Sequence, residues 1–161
     1  MQVRQILLSS LLFATGYIAR AAPDPSARVT ELLYAIRQVE SGNRYDLPPG
    51  RYGELGAYQF RREVWVQHTH APFADARTPF ADTVARLHYQ WITEHLRHSG
   101  TPVTPWNIAA AWNCGVVAVN SDRIPWRSRD YANRVINLYR EEIALQQAAI
   151  PTLRIAIAAN P

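Results

Sequence analysis

Apolar side chains recur along this chain at helical spacing, in blocks separated by segments rich in Pro and Gly. The first block comprises apolar residues on one helical face: Val29, Leu32, Leu33, Ile36 and Val39. This period predicts a helix from about Arg28 to Glu40, and Ser41-Gly42-Asn43 is typical of a helix end. Strand patterns are weak, with at most a small hairpin near Arg51 to Tyr58. The sequence therefore predicts a mainly α-helical fold.

Start and stop signals place the other helices. A short helix is predicted around Arg61 to His68. Thr78-Pro79 is a favourable N-cap and first residue for a long helix. The expected inward stripe of that helix is Phe80, Val84, Leu87, Trp91 and His95. Thr104-Pro105 opens a further helix, which we expect to end at Asn113-Cys114-Gly115.

The last strong helix is expected to begin at a polar cap. Ser128 or Asp130 could supply that cap. The residues expected to face inward from this helix are Tyr131, Val135, Leu138 and Ile143.

With 161 residues, the chain has room for one domain of ordinary size.

The N-terminus has the pattern of a secretory signal peptide. Arg4 supplies a positive charge, the stretch from Ile6 to Ile18 is apolar or small, and Ala19-Arg20-Ala21 matches a cleavage site. We expect residues 1–21 to be the signal and residues 22–161 to be the exported domain, with its core at about 28–147. The protein would then act in the periplasm or outside the cell, without a stable membrane anchor. An uncleaved N-terminal anchor is the alternative.

The charge and the single cysteine argue against nucleic-acid binding and against an internal disulfide. Removing Arg4 and Arg20 with the signal leaves 15 basic residues against 13 acidic ones. This mild positive balance is compatible with an anionic surface but gives no reason to expect nucleic-acid binding. Cys114 is the only cysteine, so no disulfide within the chain is possible and the core must provide the stability. No pattern calls for a cofactor.

Glu40 is the first candidate for chemistry. It follows Ile36 by four residues and Leu33 by seven, which places it on the buried stripe of its helix. It also lies in the last turn, where the helix dipole opposes a negative charge. Both effects predict a raised pKa, and a protonated carboxylic acid is what cleavage of a glycosidic bond requires. The alternative is an ordinary Glu that reaches water or an Arg.

Four short segments occur in an order that resembles a known family. They are Glu40-Ser41-Gly42, Gly56-Ala57-Tyr58-Gln59-Phe60, Ala110-Ala111-Trp112-Asn113-Cys114-Gly115 and Tyr131-Ala132-Asn133-Arg134-Val135. This series is similar to the soluble lytic transglycosylases, relatives of goose-type lysozyme, over roughly residues 32–139. Tyr58 and Phe60 stand where aliphatic residues are common in that family, and Trp112 stands in place of the usual Tyr.

The resemblance implies a single lysozyme-like helical domain that cleaves peptidoglycan glycan strands. It makes Glu40 the general acid and then the base, and it implies that Ser41 orients Glu40 or hydrogen-bonds the substrate. It places Gln59 and Asn113 in the cleft as sugar-binding groups, and the Tyr131 hydroxyl near Glu40. Each has an ordinary alternative: Gln59 and Asn113 could satisfy loop backbone, and Tyr131 could be a core aromatic.

The outcome of cleavage depends on a second carboxylate. A lytic transglycosylase needs one acid, because the C6 hydroxyl of the sugar closes a 1,6-anhydro ring. A two-carboxylate hydrolase needs a partner for Glu40. Asp46 and Glu54 are the candidates in the loop before Gln59, and Glu54 is the nearer to the Gly-x-x-Gln turn. We favour the single-acid reaction, with a lysozyme-type hydrolase as the alternative.

Other functions have weaker support. Cys114 follows a helix end, where the dipole disfavours a thiolate, so a cysteine peptidase is the poorer interpretation. Two histidine pairs, His68-x-His70 and His95-x-x-His98, could bind a metal, but no acidic motif accompanies them. We expect these histidines to lie on the surface instead. A catalytically silent peptidoglycan-binding module would share the groove. The aromatic residues that could stack on sugars in either case are Trp65, Trp91, Trp106, Trp112 and Trp126. A secretion or wall-remodelling machinery is a possible partner.

Overall fold

The computed structural model describes residues 28–158, which form a mainly α-helical structure. Its helices are α1 (Val29–Ser41), α2 (Arg62–His68), α3 (Ala81–His98), α4 (Pro105–Cys114), α5 (Val116–Asn120) and α6 (Trp126–Ala158), with a 3-10 helix at Phe73–Arg77. The predicted helical fold class is confirmed. The predicted signal peptide, residues 1–21, lies outside the described residues. Between residues 28 and 158, no helix is long and apolar enough to cross a membrane.

Helix α6 packs against both α1 and α4, and this arrangement forms the centre of the molecule. In α4, four consecutive residues, Ile108 to Ala111, are buried, so this helix is enclosed on several sides. Three of the four are Ala, which allows neighbouring helices to approach closely. The largest side chains that are fully buried are Trp65, Ile36, Ile92, Leu96, Ile108, Val84 and Val135. They come from α1, α2, α3, α4 and α6, so one core joins these helices.

The predicted ends of α1 and α4 agree with the structure. Helix α1 stops at Gly42, which adopts a left-handed conformation with φ of 63°. Helix α4 begins after Thr104, whose hydroxyl oxygen accepts a hydrogen bond from the Asn107 N–H at 3.1 Å. It ends before Gly115, which also has a positive φ. Local capping chemistry therefore sets these boundaries.

The predicted starts of α3 and α6 have different outcomes. The regular helix α3 begins at Ala81, and Thr78 caps the turn that leads into it: its hydroxyl oxygen accepts the Phe80 N–H at 3.2 Å, and its carbonyl accepts the Ala81 N–H. The start predicted for α6 is wrong. Helix α6 begins at Trp126, and neither Ser128 nor Asp130 caps it. The N–H of Ser128 donates instead to the Pro125 carbonyl, so Ser128 already lies inside the first turn.

The inward stripe predicted for α3 is also wrong in part. Phe80 and Leu87 are 41% and 40% exposed, and His95 is exposed. The residues of α3 that are buried are Ala81, Val84, Ala85, His88, Tyr89, Ile92 and Leu96. The buried face is rotated by about one residue from the predicted one, because bulky apolar residues occupy two adjacent faces of this helix. His88 consequently points into the protein.

A tight turn replaces the predicted hairpin between α1 and α2. Within the described residues, strand pairing is limited to one antiparallel bridge between Leu55 and Phe60. The turn between them needs a positive φ of 74° at Gly56 and of 48° at Gln59. Gly56 is buried against the backbone carbonyl of Ala76, so a side chain at this position would collide with the 3-10 helix.

Replacing Gly56 with Ala is expected to lower the free energy of unfolding by about 3 kcal/mol, because the new Cβ adds a backbone clash to an unfavourable φ. Gly53→Ala is the matched control. Gly53 has a φ of 82°, but no atom lies within 4 Å of the place that a methyl group would take, so only the backbone strain of about 1 kcal/mol is expected there. Urea unfolding of both variants measures the difference, and equal losses would contradict the packing assigned to Gly56.

Candidate functional site

A cavity of about 590 Å³ opens between the turn at residues 54–60, helices α2 and α3, and the end of α4. This volume is typical of a small-molecule or oligomer-binding cleft. Four of the predicted site residues line it: Glu40, Glu54, Gln59 and Asn113. Ser41 and Tyr131 lie behind the cavity wall and act on residues that face it. The helical packing therefore collects side chains that are far apart in the sequence.

Glu40 projects from the last turn of α1 and is partly buried. Its Oε1 accepts a hydrogen bond of 2.7 Å from the Tyr131 hydroxyl of α6. Burial raises the pKa of Glu40 to about 7, and the negative charge of Glu54 adds to this effect. The Tyr131 hydrogen bond and the positive charge of Arg134 oppose it. Near neutral pH, Glu40 can therefore both give and accept a proton.

Tyr131 is almost fully buried, at 4% exposure. Burial and the neighbouring Glu40 hold its pKa well above the usual value, so its hydroxyl stays protonated and donates. The Arg134 guanidinium lies 5.9 Å from the centre of the Tyr131 ring. Tyr131 thus fixes one oxygen of the Glu40 carboxyl group and leaves the other oxygen for a ligand.

Ser41 does not contact the Glu40 side chain. Its hydroxyl lies 2.8 Å from the Ala57 carbonyl, to which it donates, and it accepts the Arg44 N–H at 3.1 Å. Ser41 is buried, so a substrate cannot reach it. Its position joins the end of α1 to the turn that carries Gln59. Of the two roles that the resemblance implies for Ser41, orienting Glu40 or binding the substrate, this buried position fits a positioning role.

Gln59 and Asn113 face the cavity and are also tied to the protein. The Gln59 side-chain amide donates to the Gly56 carbonyl at 2.8 Å, which holds the turn closed. The Asn113 side-chain carbonyl accepts a hydrogen bond of 2.8 Å from the Ser128 hydroxyl. Each side chain has one polar atom without a hydrogen bond to another described residue: the Oε1 of Gln59 and the amide nitrogen of Asn113. Both atoms have the chemistry to bind a sugar hydroxyl or amide.

Glu54 lies in the same cavity wall, in an environment opposite to that of Glu40. Partial burial disfavours its charge, but backbone N–H groups and Arg61 outweigh this effect and lower its pKa. Its Oε2 accepts the Tyr52 N–H at 2.9 Å, and its Oε1 lies 3.5 Å from the Arg61 Nε. The cavity therefore holds one carboxyl group that favours the protonated form and one that favours the ionised form.

Asp46 and Cys114, the other reactive candidates, do not support alternative chemistry. Asp46 is exposed and does not line the cavity. Cys114 lines it, but burial raises the pKa of the thiol, and its Sγ lies 3.2 Å from the Ala110 carbonyl. A thiol kept protonated is a poor nucleophile.

Among residues 28–158, no three His, Cys, Asp or Glu side chains come together as a metal-binding group.

Two groups of residues are not apparent from the sequence: one contributes to the cavity wall, and the other supports the wall through Tyr58. The first is a pair of histidines, His68 and His88, whose ring nitrogens lie 2.9 Å apart. His88 is buried and lines the cavity, whereas His68 is partly exposed and is not among the residues that line it. The signal for His88 was its position four residues after Val84 and four before Ile92, on the buried stripe of α3.

The second group is a hydrogen-bond network centred on Asp82 of α3. The Asp82 carboxylate accepts hydrogen bonds from the hydroxyls of Tyr45 and Tyr58, at 2.8 Å and 2.7 Å, and from the Arg37 guanidinium at 2.9 Å. Arg37 also contacts the Tyr45 hydroxyl. The network holds Tyr58, and therefore the adjacent Gln59, against α1 and α3. No local sequence pattern predicts it, because its members come from three separate segments.

Comparisons of this chain with models of known protein families, with curated proteins and with solved structures found no match. The resemblance to the soluble lytic transglycosylases therefore stays a prediction that rests on four short segments. The geometry of the cavity provides a separate basis for assigning a function.

The variant Tyr131→Phe is expected to raise the pKa of Glu40 further above 7, by about one pH unit, because the hydrogen bond that stabilises its carboxylate is lost. A pH titration of the Glu40 side-chain carboxyl carbon by NMR measures this shift. Tyr139→Phe, on the same helix α6 and without a hydrogen bond to Glu40, is the control. An unchanged Glu40 titration in Tyr131→Phe would show that the hydroxyl does not act on the acid.

Proposed function

We propose that this protein is an exported peptidoglycan lytic transglycosylase, with Glu40 as its acid and base. The bond cleaved is the β-1,4 linkage between N-acetylmuramic acid and N-acetylglucosamine. One observation carries the proposal: a partly buried Glu40 faces a cleft, and its pKa of about 7 suits proton transfer in both directions. The likeness of the four sequence segments to the lytic transglycosylases adds support.

The reaction needs two proton transfers through one carboxyl group. Protonated Glu40 gives its proton to the glycosidic oxygen as the bond from this oxygen to the muramic acid C1 breaks. The resulting Glu40 carboxylate then accepts the proton of the C6 hydroxyl, whose oxygen bonds to C1 and closes the 1,6-anhydro ring. Glu40 ends protonated as it began, and no water is consumed. A pKa near 7 keeps a large fraction of Glu40 in the form that each transfer needs, and each transfer is coupled to the breaking or forming of the bond at C1.

Tyr131 and the cavity wall have defined parts in this reaction. The Tyr131 hydroxyl holds Oε1 of Glu40, so Oε2 is the oxygen available to exchange the proton with the substrate. Gln59 and Asn113 lie in the same wall and have free polar ends for sugar groups. The glycan strand is the partner expected here, and neither step needs a cofactor.

A lysozyme-type hydrolase is the second candidate, and Glu54 is the observation in its favour. Glu54 is ionised more readily than an ordinary Glu and lines the cavity with Glu40. Both of its oxygens, however, already have protein partners in Tyr52 and Arg61. A carboxylate that attacks a sugar or activates water must turn toward it, and turning would break the contacts that hold Glu54 in place. The single-acid reaction therefore remains the better supported.

A silent wall-binding module and an enzyme that serves a secretion or wall-remodelling machinery remain alternatives. A binding module would have no use for an acid with a raised pKa and a dedicated hydrogen-bond partner. A secretion-linked enzyme would use the same chemistry as general wall turnover, so the two roles differ in partners and not in the site.

Purified peptidoglycan treated with the protein is expected to release fragments with 1,6-anhydromuramic ends, which mass spectrometry identifies as one water lighter than reducing fragments. Glu40→Gln is expected to lower the rate of release by at least about a thousandfold while binding to sacculi is retained, because Gln cannot transfer the proton. Release at the parental rate by Glu40→Gln, or no release by either protein, would contradict the proposed function.

The variant Glu54→Gln distinguishes the two chemical outcomes. If Glu54 only supports the loop, its loss is expected to reduce the rate by about tenfold or less and to leave the anhydro product unchanged. Glu63→Gln, another acid of the cavity wall on α2, is the matched control. Reducing ends from the parental protein, together with a loss of more than about a hundredfold in Glu54→Gln, would establish the hydrolase instead.

A further inference from the structure

The paired histidines lie at the part of the cavity formed by α2 and α3. His88 Nδ1 lies 2.9 Å from His68 Nε2, so one hydrogen bond joins the two rings. Burial lowers the pKa of His88 to about 3, with a further contribution from His68, so the His88 ring is neutral at physiological pH. Because Nδ1 is engaged with His68, Nε2 is the ring nitrogen left for a ligand.

Aromatic residues hold the His88 ring in one orientation. Trp91 stacks on it nearly parallel, at an interplanar angle of 12°, and Trp112 meets its edge with ring centres 4.8 Å apart. Phe60 contacts it from a further side. His88, Trp91 and Trp112 all line the cavity, and both Trp residues are partly exposed to it. The result is an apolar wall with one fixed polar ring.

We propose that His88 binds the ligand through Nε2, by a hydrogen bond to the acetamido group of an N-acetyl sugar that lies against Trp91 and Trp112. His68 is a positioning residue, because it holds the His88 ring from the opposite edge. The sugar class rests on the proposed function. A histidine pair that served only the core would lie away from the cavity, whereas His88 forms part of its wall.

The acetamido group suits this wall for two reasons. It has an N–H donor and a carbonyl acceptor, so it can pair with Nε2 whether the neutral His88 ring carries its proton there or on Nδ1. The methyl group and the sugar ring present C–H groups that can pack on the exposed parts of Trp91 and Trp112. His95 already covers one side of the Trp91 ring, with ring centres 3.9 Å apart, so Trp91 offers mainly its edge. Apolar walls with a few fixed polar groups are typical of specific ligand sites.

The first experiment is kinetic. His88→Phe keeps the aromatic packing and removes both ring nitrogens, Nε2 and the Nδ1 that contacts His68, so KM for peptidoglycan is expected to rise by about fivefold to tenfold with kcat within about twofold. His68→Phe is expected to raise KM by a smaller factor. His98→Ala, an exposed residue in the last turn of α3, is the control. An unchanged KM in a folded His88→Phe protein would overturn the subsite.

The second experiment does not depend on catalysis or on a His88 variant. In Glu40→Gln protein, addition of tetra-N-acetylchitotetraose is expected to shift the His88 Nε2 resonance in histidine side-chain ¹⁵N NMR spectra, whereas His98 stays unchanged. Binding that leaves His88 Nε2 unmoved, or no binding at all, would overturn the proposal. A shift at His88 in a protein that releases nothing from peptidoglycan would support the subsite and contradict only the proposed transglycosylase activity.

Discussion

The hydrogen bond from Tyr131 to Glu40 joins the last helix to the first, across 91 positions of the chain. It forms because α1 and α6 pack together, which buries the end of α1 where Glu40 lies. A carboxyl group in such a place is destabilised in its charged form by burial and by the negative end of its own helix dipole. The Tyr131 hydroxyl and Arg134 stabilise the charged form and so offset part of this destabilisation. The proton affinity of the site is therefore a consequence of helix packing.

The end of α1 also fixes the turn at residues 54–60, which lines the same cavity. Ser41, next to Glu40, donates to Ala57, and Arg37, one turn earlier, meets Asp82 together with Tyr58. Two consecutive residues of the turn are thus held to α1 directly or through Asp82. A shift of this helix would move Glu40 and Gln59 together. This coupling preserves the distance between Glu40 and Gln59, on which the proposed catalysis would depend.

The parts of the site that depend on local chemistry could be predicted from the sequence. Spacing from Ile36 placed Glu40 on a buried face, and Thr104-Pro105 and Gly115 gave the ends of α4. His88 could not be recognised in the same way, because Leu87 and Trp91 suggest a competing apolar face one residue away.

The contacts of Ser128 and Glu54 depend on a residue distant in the sequence and on the irregular fold of a loop, respectively. No local sequence pattern predicts them. Ser128 looks like a helix cap, yet the path of α6 brings it to Asn113. Glu54 looks like a solvated loop acid, but the fold of its loop turns the Tyr52 N–H toward it. The boundaries of α1 and α4 and the position of the buried acid are thus encoded within single segments. The start of α6 and the electrostatic surroundings of the acid require the tertiary fold.

Glu54 has a use in the site even if it never touches the reacting atoms. Its negative charge raises the pKa of Glu40, while Arg61 and the Tyr52 N–H keep Glu54 itself ionised. In the proposed reaction, a fixed negative charge in the cavity would also stabilise the positive charge that develops at the sugar C1 as the glycosidic bond breaks. Releasing Glu54 to act as a nucleophile would forfeit both of its partners and the loop conformation that they hold. Its environment therefore fits an electrostatic role beside a single proton-transferring acid.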